Sequence, residues 1–195
     1  MGEPLSIRGG GVPCHRRRRH NGVMAFARTT EPAVFRICFV CTGNICRSPM
    51  AEAIMRSIVS GTGYAASIAV TSAATGDWHV GESADPRTLA ALEAHGYDAG
   101  RHRARQFDPA WFPELDLVVA FDRGHERVLR EWAATDADRS KVQLLLGFDP
   151  EAATMDVPDP YYSDAAMFDT VLVAIERACT SLFRQLEPAI RQGVP

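Results

Sequence analysis

The stretch VFRICFV-CTGNICRS-PMAEAIMRSIVS, residues 34–60, constrains the fold more than any other. Its first part is dense in β-branched and aromatic residues with little alternation, the pattern of a strand buried on both faces. Its last part places apolar residues at 50, 51, 54, 55, 58 and 59, one face of a helix. A buried strand that passes through a short turn into a helix is the opening unit of a parallel α/β sheet.

The rest of the chain repeats the alternation. Strands are expected at 67–72, 115–121 and 142–146. Helices are expected at 86–95, opened by Pro86 and closed by Gly96, and at 122–133. The last helix, 164–187, is marked by Met167, Phe168, Val171, Leu172, Ile175, Leu182 and Leu186. The predicted architecture is a three-layer α/β sandwich, with a central parallel sheet of about four strands and helices on both faces. Sites in such folds lie at the C-terminal ends of strands, where Cys41 stands.

Charge divides the chain at about residue 33. Residues 1–33 carry six arginines (Arg8, Arg16 to Arg19, Arg28) against Glu3 and Glu31, a net +4, so the remaining residues sum to −3 − 4 = −7. The basic part lacks periodicity and reads as a disordered extension, or as sequence upstream of a start at Met24, with one domain spanning 34–195. The acidic body does not resemble a nucleic-acid binder. The paired arginines are not followed by the ~7–15 apolar residues of an export signal, and no run reaches the ~20 of a membrane span. A cytoplasmic protein is expected, with export that uses no signal left open.

Five cysteines (14, 38, 41, 46 and 179) do not form a secreted disulfide framework: three fall within nine residues and 132 residues separate Cys46 from Cys179. With His102 and His125 standing alone, no zinc site is expected either. One special thiol in a reducing compartment fits better.

A cysteine followed six positions later by arginine is a weak signal alone; its context gives it weight. Gly43 and Asn44 tolerate positive φ and let the loop curl with its N–H groups inward, and Ser48-Pro49 is a favoured helix opening. A nest of that kind at a helix N-terminus binds a phosphate dianion. The same field acts on a thiol at its centre: an ordinary cysteine with pKa ~8.5 is brought to ~3.5–7.5 in such surroundings. Cys41 would then be a nucleophile, Ser48 a donor to its sulfur, and Arg47 a planar fork for two phosphoryl oxygens. The Gly-x-x-x-x-Gly-Lys-Ser/Thr pattern of a nucleotide-binding loop is absent. An acid must protonate a tyrosyl leaving group of pKa ~10, and Asp156, Asp159 and Asp164 are all available on chemistry alone.

VCTGNICRSPMAE resembles the signature loop of the low-molecular-weight protein tyrosine phosphatases, most of all their actinobacterial members. The likeness continues through TSAATGDWHVGESADPR, HGYDAGRHRARQF, GFDP and DVPDPYYSD, from about residue 35 to 187. The resemblance implies Cys41 as nucleophile, Arg47 as phosphate binder and Asp159, in Asp-Pro, as general acid and base. It implies a loop of Thr42, Gly43, Asn44, Ile45 and Cys46 supported by Ser48, Ser72 and His102, with Asn44 strained and held by Ser72 and His102. Ile45, Trp78, Tyr161 and Tyr162 match the walls of the family's pocket, and Cys46 the second loop cysteine that can pair with the nucleophile under oxidation.

Phosphotyrosine-containing proteins are the implied substrates, inorganic phosphate an inhibiting product, and a monomer the expected state, with no metal or cofactor. Arsenate reductase of the same fold is the rival reading, although the thiol-cascade kind needs cysteines that the interval between Cys46 and Cys179 lacks. Phosphoarginine phosphatases of this scaffold carry threonine where Ile45 stands. A phosphotyrosine-binding module without catalysis would have no use for Asp159.

Overall fold

A computed structural model describes residues 35–191; the basic segment 1–33 lies outside them. The sheet consists of β1 (Phe35–Cys41), β2 (Ile68–Ala74), β3 (Leu117–Ala120) and β4 (Val142–Leu144). All pairs are parallel, in the order β2-β1-β3-β4. The helices are α1 (Arg47–Ser60), α2 (Pro86–Ala94), α3 (Arg123–Trp132), the short α4 (Asp136–Ser140) and the long α5 (Ala165–Arg191). The expected three-layer α/β sandwich is present.

Alternation along β1 divides the core in two. Ile37 and Phe39 face a layer built from α1, α2 and α5, including Met50, Ile54, Leu92, Leu172 and Ile175. Cys38 and Val40 face the other layer, where Leu129 of α3 packs with Phe107 and Phe112. Each large apolar side chain so buried contributes about 1.5–3 kcal/mol. Cys38 and Cys41 have Cys-x-x-Cys spacing, which the expectation of no zinc site leaves out of account. On a strand, an offset of three sends one thiol to each face, so the pair cannot converge on a metal.

β1 is the strand at which the chain reverses direction across the sheet: β2 lies on one side of it and β3 on the other. The crevice outside a switch point of this kind is where α/β sheets place ligands, and Cys41 ends the strand there.

Several boundaries differ from the sequence expectation; β2, expected at 67–72, is Ile68–Ala74. The strand expected at 142–146 stops at Leu144, and a 3-10 turn takes Leu145–Phe148. Leu145 and Leu146 are both buried, and an edge strand covered on one face cannot bury consecutive side chains. The strand expected at 115–121 shortens to Leu117–Ala120, because Leu115 closes a 3-10 turn at Pro109–Glu114. Helix α5 continues past Pro188 to Arg191.

Candidate active site

Helix α1 starts at Arg47, two residues earlier than expected, and its N-cap position, Cys46, supplies no side-chain cap. Ser48 is therefore no cap. Its hydroxyl lies 3.0 Å from the Cys41 sulfur, within hydrogen-bond distance in either direction. Cys41 is 2% exposed, at the floor of a pocket of about 330 Å3. Among the described residues, the N–H groups of 43–46 donate to no loop or turn carbonyl. They leave a ring of donors at the positive end of α1.

Asn44 fixes the ring's shape. Its φ is +55° and it is fully buried. Its Nδ2 donates to Ser48 Oγ and Ser72 Oγ, both at 2.8 Å, and its Oδ1 accepts from the Arg105 N–H at 3.0 Å. Its carbonyl lies 2.7 Å from His102 Nε2. Ser72 in turn donates to Glu52, which lies 4.0 Å from His102 Nδ1. Burial pushes the His102 pKa below its ordinary value, which outweighs the opposing pull of the Asn44 carbonyl and Glu52. Gly43, expected to share the positive φ, does not. A Cβ there would lie 2.8 Å from His79 Cδ2, so glycine serves a close approach instead.

Arg47, 3% exposed, is gripped from several sides. Nη1 donates to Asp122 Oδ2 and to the Val157 carbonyl, both at 3.1 Å. Nη2 donates to Asp159 Oδ2 at 2.7 Å and, more weakly, to Thr42 Oγ1 at 3.4 Å. Nε is buried without a hydrogen-bond partner. His125 continues the chain of contacts, with Nε2 2.8 Å from Thr42 Oγ1 and Nδ1 3.0 Å from Asp122 Oδ2. Burial disfavours the Asp122 carboxylate, but His125 and Arg47 outweigh it and hold the pKa well below the usual carboxylate range.

The three aspartates that chemistry left open now separate. Asp156 accepts from the Arg123 N–H at the start of α3, and Asp164 accepts from Met167 N at the start of α5. Asp159 lines the pocket, its side chain 48% exposed, with Oδ1 accepting from Tyr161 N at 3.2 Å. Ile45, Cys46, Trp78, Tyr161 and Tyr162 line the same pocket, Trp78 and Tyr162 at an exposed rim. The Cys46 thiol is pushed up to about 12, first by burial and then by Asp85 and Cys41.

The structure thus brings together the residues that the resemblance nominated, and of the three candidate aspartates only Asp159 lines the pocket. Sequence reasoning missed Glu52, His79, Arg105, Asp122 and His125 as neighbours of the site. Asp122 was legible only as the cap of α3, whose His125 N–H it accepts at 2.8 Å. His79 follows Trp78 in the chain and lines the pocket beside Gly43, its ring centroid 6.2 Å from that of Tyr161.

The sequence profile of a family described as low molecular weight phosphotyrosine protein phosphatase matches residues 36–192. A low molecular weight protein-tyrosine-phosphatase of Streptomyces coelicolor is 53% identical over 162 residues, 82% of this chain and 96% of that protein. Low molecular weight protein-tyrosine phosphatase A of Mycobacterium tuberculosis is 42% identical over 161 residues, again 82% of this chain and 96% of that protein. A crystal structure of a protein tyrosine phosphatase from Entamoeba histolytica matches with a TM-score of 0.76 and 30% identity, over 80% of this chain and 98% of that one.

Proposed function

The chain belongs to the low molecular weight phosphotyrosine protein phosphatase family, and on that premise we propose that it hydrolyses phosphotyrosine on proteins through a phosphocysteine at Cys41. The observation that carries this reading is the convergence of the Cys41 sulfur, the Arg47 guanidinium and the Asp159 carboxyl on one pocket.

In the first step the Cys41 thiolate attacks phosphorus, forming the S–P bond as the P–O bond to tyrosine breaks. Arg47 and the loop N–H groups take the charge that spreads over the phosphoryl oxygens. The substrate replaces Asp159 on Arg47; the freed carboxylate takes up the proton that the Cys41 thiol gives up and delivers it to the leaving phenolic oxygen. In the second step Asp159 takes a proton from water as the water attacks phosphorus; the S–P bond breaks and inorganic phosphate leaves. Ser48 supports the sulfur in both steps, donating its hydroxyl proton while Asn44 fills the acceptor side of that oxygen.

Phosphate, held by the same ring, inhibits as product. Ile45, Trp78, Tyr161 and Tyr162 form walls that suit an aryl ester and keep shorter alkyl phosphates from the sulfur. Residues 34–195 form the catalytic domain, which acts as a monomer. Against thiol-cascade arsenate reduction, Cys179 is fully buried within the α5 layer of the core.

The test is aryl phosphate turnover by the wild type and by Cys41→Ser. The variant should lose roughly 10³-fold or more in kcat while still binding phosphate. Undiminished turnover would remove Cys41 from its role, and arsenate-stimulated thiol consumption without phosphatase activity would favour the reductase.

A further inference from the structure

The turn that carries Asp159 is tied to the molecule at two ends. Upstream, Val157 N donates to the Phe121 carbonyl at 2.7 Å and the Val157 carbonyl accepts from Arg47 at 3.1 Å. Downstream, the ties come from Arg87 in the first turn of α2. Its Nη1 donates to the Ser163 carbonyl at 2.8 Å and its Nη2 to the Tyr161 carbonyl at 3.0 Å. The guanidinium also lies over the Phe168 ring, 4.4 Å from its centroid, at the start of α5.

Asp85 presents this guanidinium. One of its carboxylate oxygens accepts from Arg87 N at 2.8 Å and Nε at 3.0 Å, the other from Nη2 at 2.8 Å. The Asp85 N–H donates to the Ile45 carbonyl at 2.9 Å, on the loop around the nucleophile. One residue pair therefore connects the two halves of the site through the backbone atoms beside each.

We infer that Arg87, presented by Asp85, is a positioning residue that sets the Asp159 turn at its working height over Cys41. The role rests on the reading of Asp159 as the acid. Tyr161 N is the donor to Asp159 Oδ1, so holding the Tyr161 backbone by its carbonyl holds in place the N–H that orients the carboxyl. A planar fork is needed to meet two carbonyls and a carboxylate together, and an ammonium group cannot replace it.

The experiment uses the full chain and the variants Arg87→Met, Arg87→Lys and Asp159→Asn. Phenyl phosphate needs an acid for its leaving group; 2,4-dinitrophenyl phosphate does not. Arg87→Met should lose about 10–100-fold in kcat/KM on phenyl phosphate and less than about 3-fold in kcat/KM on the dinitrophenyl ester, since kcat/KM reads the steps up to leaving-group release and not the later hydrolysis, with inhibition by inorganic phosphate unchanged. Arg87→Lys should show the same selective loss. Amide exchange at Tyr161 and Ser163 should rise about 10-fold or more in both.

Equal losses on the two substrates, or unaltered exchange, would overturn the proposal. Asp159→Asn keeps the two readings apart. If it shows no leaving-group selectivity, the acid assignment fails, while the exchange measurement still decides whether Arg87 holds the turn.

Discussion

Asn44 concentrates the demands of the loop on one side chain. A left-handed backbone costs a residue with a Cβ about 1–2 kcal/mol, and the amide recovers it by satisfying two hydroxyls and one N–H that no water would reach. Asn44→Ala removes those partners and keeps the strain; Asn44→Gly removes both. We expect Asn44→Ala to destabilise by about 2–4 kcal/mol, with Asn44→Gly less affected in denaturant unfolding. Equal losses in the two variants would mean that the missing hydrogen bonds, and not backbone strain, set the cost.

At this scale the sequence displayed the proposed reacting groups and hid what holds them. Cys41, Arg47 and Ser48 fall within eight residues of the chain and are readable together, and resemblance picked Asp159 where chemistry left three candidates. Glu52, Arg105 and Asp122 act across separations of 20 to 75 residues. Nothing in their immediate neighbours distinguishes them from solvated surface charges.

Among the elements, the legible ones carry a strong apolar pattern. Helix α5 announces itself through helical apolar spacing and strand β1 through a dense apolar run, while the 3-10 turns at 109–114 and 145–148 have neither. The segment around His102 is irregular too, yet it closes the open edge of β2: Ala74 N donates to the Arg105 carbonyl and Phe107 N to the Ala74 carbonyl, both at 2.8 Å. That docking buries His102 against the loop, which has a pH consequence.

The folded pKa of His102 lies below its ordinary value of 6.5. The unfolded chain therefore takes up the proton first as pH falls. Stability is kept above about 6.5 and is lost progressively below it, toward the folded pKa. Urea unfolding between pH 7.5 and 5 should show this decline in the wild type and a shallower one in His102→Gln. Parallel slopes would show that His102 does not contribute.

For the molecule as a whole, strand–helix alternation made a parallel sheet predictable, but the strand order was not. Order depends on which side of β1 each crossover returns to, and no local pattern records that choice. The result sets the loop with the start of α1, the end of β3 and the Asp159 turn around one crevice, although they come from three separate stretches of chain. The proposed domain boundary gives a simple expectation. Deleting residues 1–33 should leave the melting temperature within about 2 °C and kcat unchanged, since the folding unit begins with β1. A large fall in either would show that the basic segment belongs to it.

The claim beneath all of this is that the Cys41 sulfur becomes bonded to phosphorus during turnover. Acid quenching of the reaction with 2,4-dinitrophenyl phosphate, followed by mass analysis of peptides, measures that bond directly. The account predicts one phosphoryl group on the peptide containing Cys41, more abundant in Asp159→Asn, where hydrolysis of the intermediate is slowed, and absent in Cys41→Ser. Continued turnover with no phosphoryl group on that peptide, or with the group on another residue, would contradict it.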